Sequence, residues 1–69
     1  MKLSNCEEII GTLKAYEQMN DENRLTFIME TIIDIPKDAI SIENLEECKQ
    51  STISILHLDG KYYLKKQVL

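Results

Sequence analysis

The sequence predicts one small α+β domain in which two helices pack on an antiparallel sheet of about three strands, in the order α-β-α-β-β. Three observations predict it. Apolar residues near the N-terminus recur at helical spacing behind good capping residues, a β-branched and aliphatic run extends from Arg24 to Ile35, and two apolar runs near the C-terminus flank Asp59-Gly60. With 69 residues the chain has room for a single domain, residues 1–69, and for a modest core without a deep cleft.

The first helix starts at Ser4 or Asn5, each followed three residues later by an acid, Glu7 or Glu8, as in a capping box. Cys6, Ile9, Ile10, Leu13 and Tyr16 form its apolar stripe, Gly11 weakens it slightly, and the polar cluster Asn20 to Asn23 ends it. The following run is read as one strand, with Phe27, Met29, Thr31 and Ile33 on one face and Thr26, Ile28, Glu30, Ile32 and Asp34 on the other. Glu30 then stands mid-strand between isoleucines, as a gatekeeper on an edge or a contact reserved for a partner. Pro36 stops the ladder and suits the first turn of a second helix carrying Asp38, Ala39, Ile42, Leu45 and Cys48 or Lys49, with Ser41 as an alternative N-cap. Asp59-Gly60 is a two-residue hairpin signal between Thr52–Leu58 and 61–69. In that register Ile53, Ile55 and His57 share the core side with Tyr62, Leu64 and Val68, while Leu56, Leu58 and Tyr63 lie on a mixed opposite face.

Composition narrows the function classes. Twelve acids against eight bases give a net charge of -4, the wrong sign for holding phosphates, so direct nucleic-acid binding is not expected. The charge is uneven: residues 1–48 carry eleven acids and four bases, a net -7, and residues 49–69 carry one acid and four bases, a net +3. No apolar run is long enough to cross a bilayer and nothing resembles a secretory signal, so a cytoplasmic protein with reduced Cys6 and Cys48 is expected. His57 is the only histidine and sits within an apolar strand, the two glycines are isolated, and no residues have metal-ligand spacing. The expectation is a protein that is not an enzyme, has no cofactor or metal, and is a monomer or weak homodimer.

The segment Met29-Glu30-Thr31-Ile32-Ile33-Asp34-Ile35-Pro36-Lys37-Asp38-Ala39 resembles the phage-type uracil-DNA glycosylase inhibitors (the Ugi family). Glu30-Thr31-Ile32 stands for that family's Glu-Ser-Ile edge-strand motif, Ile35-Pro36 for its Leu-Pro step, and Asp38 for an acid early in the next helix. Lys37 and Ser41 fall where the family tends to be acidic, Asp34 falls where it is apolar, and its middle hairpin has no counterpart. The resemblance implies a DNA mimic whose partner is uracil-DNA glycosylase. Glu30, Thr31, Ile32, Asp34 and Asp38 would enter the enzyme's DNA groove, and Ala39, Ile42, Leu45, Ile53 and Ile55 would capture its apolar wedge. The rival reading is a phage or plasmid interaction module, an antitoxin or a transcription adaptor, that uses the Leu56, Leu58 and Tyr63 face.

Overall fold

The structure, a computed structural model, describes residues 1–67. Five strands form one antiparallel sheet: Glu8–Gln18 (β1), Glu22–Phe27 (β2), Ile32–Pro36 (β3), Thr52–Leu58 (β4) and Lys61–Lys66 (β5). One short helix, Ile42–Cys48 (α1), lies in the connection from β3 to β4. The strands are arranged β3-β2-β1-β4-β5. β1 to β3 form a meander and β4 returns through the helical connection to the other side of β1, which makes a Greek key. The expected order α-β-α-β-β, with three strands and two helices, is therefore corrected to β-β-β-α-β-β, a largely β domain.

The N-terminal correction has a local cause. Ser4 N donates to Glu7 Oε1 at 2.8 Å and Glu7 N to Ser4 O at 3.0 Å, so the capping residues close one turn, which Cys6 leaves with φ 68°. Cys6 N then donates to His57 O, and His57 N to Glu7 O, which feeds the chain into β1 beside β4. β1 serves two partners, pairing with β4 over residues 8–12 and with β2 over 13–18. Between Leu13 and Ala15 the register with β2 slips by one residue, a β-bulge. Ile9, Leu13 and Tyr16 all reach the core because the bulge adds that extra residue, and their spacing imitates one face of a helix. Gly11 makes space rather than weakening a helix: a Cβ there would lie 3.1 Å from Phe27 Cδ2.

The run from Arg24 to Ile35 is two strands, not one. Glu30 N donates to Phe27 O at 3.1 Å and Phe27 N to Thr31 O at 2.8 Å, reversing the chain through Met29 (φ 75°) and Glu30 (φ 65°). Pro36 is the last residue of β3 at the sheet margin, where its missing N–H costs no ladder bond. The helix begins later than Pro36, at the alternative cap: Ser41 accepts from Asn44 N at 3.2 Å, and α1 buries Leu45 and Cys48.

The C-terminal hairpin forms in the expected register, with Leu56 opposite Tyr63 and His57 opposite Tyr62. Asp59 and Gly60 have φ 50° and 79°, the pair of positive angles that a two-residue hairpin turn needs. Ile53 and Ile55 face the core with Leu64 and Tyr62 packed against it, while Val68 lies outside the described residues. The core gathers Leu13, Leu25, Phe27, Ile33 and Ile35 from the meander, Ile53 and Ile55 from β4, Leu45 and Cys48 from α1, and Leu3 and Ile40 from the flanking segments. Among the described residues no helix is long and apolar enough to cross a membrane.

Candidate functional site

The residues singled out by the inhibitor resemblance fall into separate environments. Glu30 and Thr31 are exposed on the β2–β3 turn, and Ile32 is exposed at the start of β3. Asp38 is exposed in the loop beyond the other end of β3, so Glu30 and Asp38 are separated by a five-residue strand, roughly 16 Å of extended chain. Leu45, Ile53 and Ile55 are fully buried, Ile42 packs against the same core, and only Ala39 of the five apolar candidates lines a surface depression. Asp34 is buried and already paired: Arg24 Nε donates to its Oδ1 at 2.8 Å and Arg24 Nη2 to its Oδ2 at 3.3 Å. The guanidinium holds the Asp34 carboxyl below the usual carboxylate range, despite the opposing effect of burial.

Asp34 also shows how one margin of the sheet is closed. Its backbone N donates to Met1 O at 2.8 Å, the Met1 amino group lies 3.9 Å from Asp34 Oδ2, and Lys2 Nζ pairs with Glu22 Oε2 at 2.6 Å. The first residues thus cover the outer side of β3. The same segment is tied to the opposite end of the sheet, where His57 Nδ1 lies 2.8 Å from Leu3 O and Asp59 N donates to Asn5 Oδ1 at 2.7 Å. The His57 ring stacks on Tyr62, with centroids 4.3 Å apart and planes 1° from parallel. The one histidine is therefore engaged in holding the N-terminal segment against the β4–β5 hairpin.

At the other margin, β5 presents a different surface. Gln67 N donates to Thr52 O, and β4 uses its odd-numbered residues toward β1, as His57 does with Glu7. Antiparallel alternation then turns the backbone groups of Lys61, Tyr63 and Lys65 toward β4 and those of Tyr62, Leu64 and Lys66 outward. Among the described residues no backbone group pairs with the outward set. Two depressions of about 450 Å³ each run along this edge and share Ala39, Tyr62 and Tyr63 in their linings. Together they form a groove between β5 on one side and the loop after β3 with α1 on the other. Lys66 Nζ reaches Glu47 O at 3.4 Å across one end. On the hairpin's outer face Leu56 lies opposite Tyr63, Tyr63 is 49% exposed and Leu58 is exposed, with Lys61 and Lys65 on either side of the tyrosine. Ile10, exposed on β1 opposite Ser54, extends this apolar face.

The groove escaped sequence reading because its walls come from segments far apart in the chain. The local signal was the density of lysine on the last strand, a device that proteins use on open edges. Other chemistry gathers less. Cys6 is exposed and Cys48 buried, both as free thiols, and no group of three or more potential metal ligands occurs among the described residues. Partly open five-stranded Greek-key barrels that bind oligonucleotides use the face of their second and third strands. Here the second and third strands carry a single aromatic residue, Phe27, and it is buried. In comparisons with known proteins, the chain matches no family model, no curated protein and no solved structure.

Proposed function

We propose that this chain is a non-catalytic protein-binding module that meets its partner with the β4–β5 hairpin and the groove beside it. The observation that carries this reading is a coincidence in one place: exposed apolar side chains, an open strand edge, a groove, and the positively charged part of an otherwise acidic chain. Aromatic and aliphatic side chains ringed by charge are the usual makings of an interface centre. The ionisable groups around the rest of the fold are engaged differently. Asp34 is held ionised, the opposite of what a general acid requires, and Glu46 accepts from Tyr16 Oη, which keeps that phenol protonated above its ordinary range. Immobilised protein retaining a specific cellular protein, with retention lost in Leu58→Ala/Tyr63→Ala and kept in Glu17→Ala, supports the reading. Retention that ignores the hairpin substitutions contradicts it.

One observation favours the narrower inhibitor role as a second reading. Glu30 is exposed and makes no ion pair among the described residues, on a turn whose Met29 is 90% exposed. An acid held out on a backbone in a sparsely populated conformation is suited to contact. It presents a carboxylate from a turn instead of an edge strand. Titration into a uracil-excision assay tests it: inhibition at stoichiometric protein, weakened by Glu30→Ala, supports the role, and undiminished excision rejects it.

A further inference from the structure

We infer that the partner of the β4–β5 hairpin is an extended acidic segment of another protein, which adds to the sheet as a sixth strand along β5. This rests on the protein-binding reading and specifies its ligand. Tyr62 and Leu64, which both line the groove, direct two N–H and two C=O groups away from β4, and no described backbone group bonds to them. Unpaired edge groups beside a groove are what peptide recognition by strand addition uses: main-chain bonds supply affinity, and alternate side chains supply specificity. The groove combines two depressions of about 450 Å³, the scale of ligand clefts, and five residues of extended chain at roughly 3.3 Å each match the run of β5 from Lys61 to Lys65.

The side-chain pattern of the ligand follows from the pleat. Residues of an added strand beside Tyr62 and Leu64 point inward, toward Ala39, Ile40 and Cys48, and are therefore apolar. Their neighbours lie beside Lys61, Tyr63 and Lys65 on the outer face, so an acid fits at each end and a β-branched residue in the centre. Charge also selects among occupants. Three lysines in the six residues of β5 discourage pairing of this edge with the same edge of a second copy, yet favour an acidic strand. Lys66, bonded to Glu47 O, marks where the added strand ends.

The experiment uses the full chain, ¹⁵N-labelled, with a probe peptide whose centre is Glu-Leu-Thr-Leu-Glu between polar flanks, and a control with both glutamates replaced by lysine. Saturating probe is expected to slow amide exchange at Tyr62 and Leu64, and not at Lys61, Tyr63 or Lys65, whose amides already face β4. The lysine control is expected to bind about tenfold more weakly. Lys61→Glu/Lys65→Glu is expected to reverse that preference, which separates loss of charge from loss of fold. Unchanged exchange at Tyr62 and Leu64, or equal affinity for the two peptides, overturns the inference. So does exchange at these amides that slows with protein concentration alone, because a second copy then occupies the edge. Probe-induced shifts confined to Leu56, Leu58 and Tyr63 overturn strand addition while leaving the hairpin as the binding surface.

Discussion

The two margins of the sheet are finished in different ways. On the β3 side the N-terminal residues lie along the edge, Asp34 gives its amide to Met1 and its carboxylate to Arg24, and Ile33 and Ile35 are fully buried. On the β5 side the backbone edge faces a groove, Tyr62 and Leu64 are half-buried, and protection against stray pairing rests on lysines. A sheet edge invites another strand unless it is covered or charged. Covering closes an edge to every comer, whereas charge leaves it selective, and this asymmetry is the physical basis for placing the binding surface on the hairpin.

The largest expected effect contrasts the same substitution on the two sides. Leu25→Ala, in the fully buried meander, is expected to cost about 3–5 kcal/mol in urea unfolding, and Leu64→Ala, half-buried on β5, about 1–2 kcal/mol. Equal losses would mean that β5 is as firmly enclosed as β2. The turns give the next contrast. Gly60 at φ 79° is expected to lose about 1–2 kcal/mol on change to Ala, with thermal unfolding as the readout. Met29, at φ 75°, carries a side chain where glycine is at ease, so Met29→Gly is expected to stabilise the protein by about 0.5–1 kcal/mol. Met29 is 90% exposed, so a loss of stability in that variant would mean that the entropy glycine adds to the unfolded chain outweighs the strain relieved at the turn.

The smallest effect is read as a slope. Arg24 lowers the Asp34 pKa below the unfolded value of ~3.9, so the unfolded state binds the proton first on acidification. The stability from this pair is complete above that value and is lost as pH falls through the lower folded value. The Arg24 side chain is partly exposed to water, which keeps the contribution small. Asp34→Asn is therefore expected to lower stability slightly and by a constant amount near neutrality, and to flatten its fall below about pH 4. An unaltered acid limb would remove the pair from the account of the closed edge.

How much of this was legible in the sequence followed how local each cause is. Asp59-Gly60 is a turn written in residues that tolerate positive φ, and the hairpin around it was read with its register and core face. The turn at Met29-Glu30 adopts the same kind of angles with residues that give no such sign, so the run reads in sequence as a single strand with Glu30 in its middle. The bulge after Leu13 converted alternation into apparent helical spacing, and Gly11, whose role is to admit Phe27, looked like a mild helix defect. The Ser41 cap was visible, but Pro36 offered a competing start. Among the candidate residues, exposed acids such as Glu30 and Asp38 were recognisable, while the groove was not. It exists only because the loop after β3 and the last strand come together through the Greek key, and no window of sequence contains both.

Residue-resolved hydrogen exchange on the protein alone at low concentration distinguishes a closed β3 edge from an available β5 edge. A protected amide is expected at Asp34 on β3, with amides at Tyr62 and Leu64 that exchange nearly as fast as in an unstructured peptide. Protection at Tyr62 and Leu64 equal to that at Asp34 would show that β5 is already covered within the chain, and would contradict the availability of that edge.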